Sequence, residues 1–459
     1  MIDSSNHAYH EVLHQLEKRG SYETTAKSRD ISKLSGIKQL LAELGEPHTS
    51  GKVIHIAGTS GKGLTGAMLA RILQQDGFRT GFYSSPHLVD IRERIRLDGQ
   101  WISQACFARH GLRVLEKADA IAEHVYLSYF DILTAIAFLA FEDAHTEWVV
   151  LETGLGGKAD STNVADKVMS ILTPIGYDHL NVLGTTLEAI AQEKLGIVRQ
   201  GVPTVLASQT EALMPWLTEA LQHRDSPVIR ADQLSIERKQ GAYQIQWPDG
   251  RVDLLALSKQ AGSIPYLDCL KTALMAYQTL FPSPPESPQR RGWIQAAASV
   301  KLPGRLEYQE NVLWQPALPP FAAMVFDGGH NVLAVEALGQ QLQTWKIENY
   351  TLVLGFAEDK LIDPLKPALR DLCRHAHHIV VTQSQSPRAA SLQTLSDFIL
   401  SACETLNPLP RIEPIQTVPN VLEHVHHRHP FPVVISGSFY LLGEIFHTFG
   451  CEACIFREA

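Results

Sequence analysis

Residues Gly58 to Gly63 read G-T-S-G-K-G, sit between the apolar run VIHIA and the helical pattern LTGAMLARIL, and contain a single lysine, Lys62. A glycine-rich turn between a buried strand and a helix directs successive backbone N–H groups, and the positive end of the helix, at one point in space. The chemistry such a point suits is phosphate binding. Thr59, Ser60, Gly61, Lys62 and Gly63 are the expected contacts, Lys62 adds a full charge, and ATP is the natural ligand. A plain glycine turn with a solvated lysine is the alternative, and the strand before with the helix after argues against it. The loop departs from G-x-x-x-x-G-K-[ST]: Gly63 and Leu64 follow Lys62 where a magnesium-binding hydroxyl usually stands. Magnesium must therefore find other ligands.

Three further groups are of the right kind. Glu152 in EWVVLETG and His179 in VMSILTPIGYDH each fall near the C-terminal end of an expected strand, the edge at which an open α/β sheet binds ligands. With a hydroxyl such as Ser85 they would make a reasonable shell for Mg²⁺ beside phosphate oxygens and water. Asp327-Gly-Gly-His330-Asn331 follows the strand-like MVF in the same manner. Taken alone, His179 reads better as a hydrogen-bonded structural histidine.

The elements that must hold these residues are legible as a rhythm. From Lys52 to about Pro203, short β-branched runs alternate with helical patterns, which is the signature of a parallel sheet wrapped by helices. GAYQIQWPDGRVDLLAL, 241–257, alternates around a PDG turn and predicts an antiparallel hairpin. FPSPPESPQRRG, 281–292, is too rich in proline for a helix to traverse, and a boundary is expected near Lys301. After it the β/α alternation restarts in AAMVFDGG, YTLVLGF, HHIVVTQ and FPVVISGS. The expectation is an α/β protein with two domains, residues 1–300 and 301–459, and a cleft between them.

Composition narrows the partners. The 459 residues are 45% hydrophobic and 19% charged, enough for two or three cores, and the formal net charge of −9 carries no run of Lys or Arg suited to nucleic acid or a membrane surface. Cysteines at 106, 269, 373, 403, 451 and 454 form no dense framework, and Cys451-x-x-Cys454 lacks a second pair, so all read as ordinary thiols in a reducing cytoplasm. The N-terminal stretch has no basic segment followed by an apolar core, and no run reaches membrane-spanning length. A cytoplasmic protein acting on a small molecule is expected, and no heptad pattern or exposed apolar stripe argues against a monomer.

At GTSGKG the chain resembles the folylpolyglutamate synthase branch of the Mur-ligase superfamily, whose loop reads G-T-N-G-K-G-[ST]. The likeness recurs, in order, in YSSPHLVDIRERIRLDGQ (83–100), SYFD (128–131), ETGLGGKADSTNV (152–164), GYDHLNVLGTTLEAIAQEKLGI (176–197), LPGRLE (302–307), DGGHN (327–331), SPRAAS (386–391) and SGSFYLLGE (436–444). The resemblance implies a Mur-ligase-like fold, with a phosphate-loop domain of mainly parallel sheet and a smaller Rossmann-like α/β domain. It implies amide formation from a carboxylate: ATP phosphorylates the acid, and the amine of L-glutamate attacks the acyl phosphate. Dihydropteroate and reduced folates are the implied acids.

Residue by residue, the family implies catalytic roles for Lys62, His179 and Lys194, and metal contacts for Ser85, Glu152, His179 and Lys194. The lysine of E-K-x-G-I, here Lys194, is carbamylated in similar enzymes and helps hold one of two magnesium ions, which requires a lowered pKa. Asp268, Arg305, Asp327 and His330 are implied at the nucleotide. Ser128, Tyr129, Phe130, Lys158, Asp160 and Ser161 match the pterin-binding segments, with Phe130 stacking on the ring and Asp160 accepting its N–H groups. Without the family, Phe130 reads as core and Asp160 as a cap.

The departures fall on both the nucleotide and the acceptor side. Ser60 stands for Asn, Leu64 for Ser or Thr, Lys158 for Arg, Asp131 for Glu and Asp268 for Asn, and the N-terminal pterin-covering segment is not recognisable in DISKLSGIKQLLAELG. A divergent ligase acting on another acid, a non-catalytic nucleotide-binding paralogue and a simple phosphate-loop kinase are the competing readings. Retention of Lys62, Ser85, Glu152, His179 and Lys194 opposes the paralogue, and DGGHN is superfluous to a kinase.

Overall fold

The computed structural model describes residues 2–19, 34–239, 242–255, 257, 262–282, 288–312, 321–428 and 431–448. The Cys451–Cys454 pair lies outside them, as do residues 30–33 of the N-terminal segment. The first sheet contains β1 (Lys52–Ala57), β2 (Thr80–Tyr83), β3 (Ile95–Leu97), β4 (Gln100–Trp101), β5 (Trp148–Glu152), β6 (Lys167–Leu172), β7 (Thr204–Leu206) and β8 (Val228–Arg230). Their order is β4-β3-β2-β5-β1-β6-β7-β8, with the β2–β3 and β3–β4 pairs antiparallel and the other pairs parallel. β1 thus lies between β5 and β6, and the crevice at its C-terminal end is where the chain crosses from one side of the sheet to the other. The phosphate loop occupies that position.

Both faces of this sheet are covered, which is why its central strands are continuous apolar runs rather than alternating ones. The helix Tyr129–Asp143 is buried at twelve consecutive positions, Phe130 to Phe141. Each large apolar side chain among them contributes about 1.5–3 kcal/mol of burial. The helix Ser35–Glu43, from the region without a recognisable pterin cover, packs Ile37, Leu40 and Leu41 into the same cluster.

Three antiparallel strands follow, β9 (Ser235–Lys239), β10 (Ala242–Gln246) and β11 (Val252–Leu255); the hairpin expected around the PDG turn is β10–β11, with Gln246 opposite Val252. The proline-rich stretch 281–292 departs from expectation. A helix, Pro288–Ala298, begins inside it. Proline fits a first helical turn, because the N–H it lacks has no intrahelical partner there.

The second large sheet comprises β12 (Glu307–Val312), β13 (Phe321–Asp327), β14 (Tyr350–Leu354), β15 (Ala376–Val381), β16 (Ile412–Pro414) and β17 (Val433–Ser436). Its order is β12-β13-β17-β14-β15-β16, parallel except for β12. The four strands anticipated from sequence are β13, β14, β15 and β17, and the two missed are the outermost. Its ligand edge faces that of the first sheet. Leu88 of the first part packs into the apolar cluster of Leu441 and Leu442, which joins the two.

Candidate active site

A cavity of about 870 Å³ lies between the facing edges of the two sheets. Seven basic side chains line it, Lys62, Arg94, Lys194, Lys301, Arg305, Lys360 and Arg388, against four acidic ones, Glu152, Asp178, Glu307 and Asp327. A chain of net charge −9 therefore encloses a positive hollow, and such a hollow concentrates anions.

The phosphate loop forms one wall. Gly61 has φ +83°, a left-handed conformation, and a Cβ there would meet Cys269 Sγ at 2.9 Å. Gly63 opens the helix Lys62–Gln75, and a Cβ on it would crowd Glu152 Oε2 at 3.2 Å, so glycine lets the carboxylate approach the cradle. Thr59 does not point at the cavity centre. Its hydroxyl donates to Gly176 O and accepts from Gly176 N, both at 3.1 Å, tying the loop to the segment after β6. Leu64, in place of the usual hydroxyl, packs on the core beneath.

Lys62 Nζ lies 3.9 Å from Glu152 Oε1. Glu152, at the end of β5, is 2% exposed, and its other oxygen accepts from Ser85 N at 3.1 Å. Burial raises the Glu152 carboxyl above its ordinary value, and Lys62 opposes the rise. Lys194 ends the helix Leu187–Lys194, is 4% exposed, and donates from Nζ to Gly58 O at 2.7 Å. Burial, and then the Lys62 charge, push its ammonium down to about 7. A lysine at that value is partly a free amine at neutral pH, which the sequence reading required.

His179 is left-handed, with φ +50°, a strained conformation for a side-chain-bearing residue. Burial holds its imidazole well below the ordinary value, so it is neutral with a lone pair to offer. The residues before and after the strand ends thus supply a buried carboxylate, a neutral imidazole and a hydroxyl on one wall, Glu152, His179 and Ser85. This donor set fits a divalent cation, with oxygen donors for the hard Mg²⁺.

The opposite wall comes from the second sheet. Asp327 ends β13, and its oxygens accept from Leu306 N and Gly329 N, each at 2.8 Å; burial pushes its carboxyl up to about 6. His330 Nδ1 lies 3.0 Å from Gly328 O. The Arg305 guanidinium stands 4.6 Å above the Phe439 ring, which fixes its plane while it faces Gly63.

The sequence reading gave no individual role to several residues here. Lys360, after β14, reaches across to Asp178 Oδ1 at 2.5 Å and to His179 Nε2 at 3.1 Å. Asn331 Nδ2 donates to the other Asp178 oxygen at 3.2 Å. Burial alone would raise the Asp178 carboxyl, but the charge and hydrogen bonding beside it, the Lys360 ammonium among them, hold it well below the usual range. Arg388, after β15, grips Asp359 with two bonds of 2.9 and 2.8 Å. Their signal was position: each follows a strand at the ligand edge of its sheet.

Five expected contacts are not among the described residues that line the cavity: Ser128, Lys158, Asp160, Ser161 and Asp268. Ser128 and Asp131 cap the helix Tyr129–Asp143, with Asp131 Oδ2 accepting from Ser128 N and Oγ, and Ser161 Oγ donates to Asp131 Oδ1 at 2.5 Å. Asp160, 3% exposed, accepts from Leu155 N at 2.9 Å, Thr162 N at 3.1 Å and the Thr162 hydroxyl. Its oxygens are spent on its own loop. Lys158 is exposed, and Asp268 pairs with Lys271 at 3.0 Å. Tyr129 and Phe130 do reach the cavity.

A hollow that presents a phosphate cradle on one side and cationic side chains for carboxylates on the other suits joining an acid to an amine with ATP. With its two facing α/β sheets, the fold is that of a Mur-ligase-like ATP-dependent ligase. No family model matches the chain. It is 32% identical over 432 residues to the dihydrofolate synthase/folylpolyglutamate synthase of Bacillus subtilis (strain 168), an alignment covering 90% of this chain and 94% of that one. The chain belongs to the dihydrofolate synthase/folylpolyglutamate synthase family. Among solved structures, the Mycobacterium tuberculosis folylpolyglutamate synthase complexed with ADP is similar at 27% identity and TM-score 0.81, covering 97% of this chain and 99% of that one. A bifunctional folylpolyglutamate synthase/dihydrofolate synthase with Mn, AMPPNP and L-glutamate bound is similar at 26% identity and TM-score 0.73, covering 91% and 94%.

Proposed function

We propose that the protein joins the amine of L-glutamate to the carboxylate of dihydropteroate, and of reduced folates, through an acyl phosphate made from ATP. The observation that carries this reading is the pairing of unlike walls: Lys62, Glu152 and Lys194 around the cradle face Asp327, His330 and Lys360 across one positive cavity. Lys62 neutralises charge on the transferring phosphoryl group. Ser85, Glu152, His179 and a carbamylated Lys194 hold Mg²⁺, in a pair of ions, which supplies Lewis-acid charge neutralisation when bound. Arg305, Asp327 and His330 close on the nucleotide from the second domain, and exclusion of water protects the acyl phosphate. The two domains divide near residue 300, and the protein acts as a cytoplasmic monomer. The decisive assay is ADP release with ATP, Mg²⁺ and L-glutamate, comparing dihydropteroate, tetrahydrofolate and no acceptor, with products identified by mass. A glutamyl product on either acid sustains the reading; ATP binding without acceptor-stimulated ADP release overturns it.

The pterin is proposed to stack on Phe130, whose ring lies over Gly154 so closely that a Cβ there would meet it at 2.6 Å. Asp160 then supports acceptor binding by fixing the 154–162 loop under that ring rather than by offering its own oxygens. Asp160→Ala leaves buried N–H groups without their acceptor, a cost of about 1–3 kcal/mol. The expected result is a lowered melting temperature and a raised acceptor KM, with ADP affinity unchanged by calorimetry.

Lys360 is proposed to meet a carboxylate of glutamate by exchanging or sharing its Asp178 partner. Lys360→Ala should raise the glutamate KM by about tenfold or more, the worth of one charge-assisted hydrogen bond, with a smaller change in the KM for ATP. Steady-state kinetics with each substrate varied in turn separates the two effects.

A further inference from the structure

Seven of the twenty histidines fall in two short stretches, CRHAHH at 373–378 and HVHHRH at 424–429, far in sequence from the phosphate loop. The fold brings one member of each together. His378 lies on β15, Glu413 on the neighbouring β16, and His424 on the helix Val418–Arg428 that covers that face of the sheet. The parallel register pairs Val380 with Glu413, and strand alternation puts His378, two residues earlier, on the same face as Val380. Val380 packs with Val421 and Val425 of the helix, so His424 is carried to the same spot.

The resulting spacings are those of a coordination shell. Nε2 of His378 is 3.2 Å from one Glu413 oxygen, and Nε2 of His424 is 3.2 Å from the other. All three donor atoms lie within 4.8 Å of one another. A tetrahedral ion about 2.0–2.1 Å from each ligand separates its donors by about 3.3 Å. The two 3.2 Å contacts already have that length but run to different Glu413 oxygens, so a turn of the carboxylate is needed to present it to an ion held between the two imidazoles. The side chains are 8%, 27% and 13% exposed for His378, Glu413 and His424, which leaves an approach for an ion and for water as a fourth ligand. Burial also keeps the His378 imidazole below its ordinary value and so in its ligating, neutral form.

We propose that His378, Glu413 and His424 form a binding site for a zinc-class divalent ion that fastens β16, the outermost strand of the second sheet, to its covering helix. Two imidazoles and one carboxylate suit Zn²⁺, whereas Mg²⁺ prefers an oxygen shell, so the site is distinct in chemistry from the catalytic cavity. None of the three residues lines that cavity. The edge strand is only three residues long, Ile412–Pro414, and a metal clip compensates for its short ladder.

The test is calorimetric titration of the chelator-treated full chain with Zn²⁺, at saturating Mg²⁺ and ADP so that the catalytic cavity is filled. The expected result is one zinc per chain, with affinity reduced at least about tenfold in His378→Ala and in His424→Ala and unchanged in the exposed pair His375→Ala/His377→Ala. Zinc should raise the melting temperature of the wild type and not of His424→Ala, while ATP turnover of that variant without zinc stays at the wild-type level. If the variants fail to fold, Co²⁺ added to the wild type decides: visible bands of a low-symmetry four-coordinate site, abolished by Zn²⁺, support the proposal. Absence of stoichiometric zinc binding, zinc binding undiminished in the two variants, or zinc that ADP and Mg²⁺ displace would overturn it.

Discussion

Lys62→Ala abolishes measurable turnover, with kcat reduced by about 10²–10³ or more, while the protein still folds and still binds its acceptor. The direction follows from where the ammonium stands. It is 3.9 Å from Glu152 Oε1 and 3.4 Å from Thr59 O, at the mouth of the cradle, with a side chain only 16% exposed. Removing one preorganised charge stabiliser from such a site costs about 2.7–4 kcal/mol of transition-state stabilisation. The effect belongs on kcat rather than KM, because negative charge on the transferring oxygens is greatest in the transition state. Single-turnover ADP formation, with nucleotide affinity measured separately, checks this. Loss of ADP affinity with an unchanged rate of the bound enzyme would make Lys62 a binding residue only.

Removal of Lys62 also leaves Glu152 buried without its nearest cation. Burial already raises that carboxyl, and Lys62 is the largest influence opposing the rise. Without the ammonium, Glu152 shifts further towards its protonated form, and a protonated acid is a poor metal ligand. The variant should therefore require more Mg²⁺ for any residual activity, and the requirement should ease as pH increases.

The parts of this site that sequence made legible are those whose geometry is local. A glycine turn between strand and helix aims its N–H groups in one direction whatever the rest of the chain does, and Glu152 stands at the end of a continuous apolar strand. The parallel strands were readable because both faces are buried, so β-branched runs stand out. β3, β4 and β8 were not: two or three residues long and half exposed, they carry no run to detect. Lys360 lies 182 residues from Asp178 in the chain, and only the approach of two sheets makes them partners. The acceptor side meets the same difficulty. Asp160, Ser128 and Ser161 match segments associated with the acceptor, yet a carboxylate that caps its own loop and one that awaits a ligand have the same letter in a sequence.

The second large effect concerns Lys194. In bicarbonate-depleted buffer the enzyme should lose most of its activity and regain it when bicarbonate is added, and Lys194→Arg should be nearly inactive under both conditions. The structure makes the chemistry accessible: 4% exposure and the nearby Lys62 charge bring the ammonium down from 10.5 to about 7. Only the free amine adds CO₂. Below pH 7 the ammonium form dominates and carbamate formation is suppressed, whereas above it the amine is available, so bicarbonate dependence should grow on the acid side. Arginine keeps the cation beside Gly58 O but stays protonated at all accessible pH and cannot form the anion. A lysine serving only to anchor that carbonyl would be largely replaced by arginine, and bicarbonate would make no difference. Loss of one anionic metal ligand should cost about 10²–10³ in kcat, the scale of removing a single preorganised electrostatic group. Carbon-labelled bicarbonate supplies the spectroscopic check, because a carbamate resonance should be present in the wild type and missing in Lys194→Arg. Full activity without bicarbonate would overturn the carbamate role of Lys194.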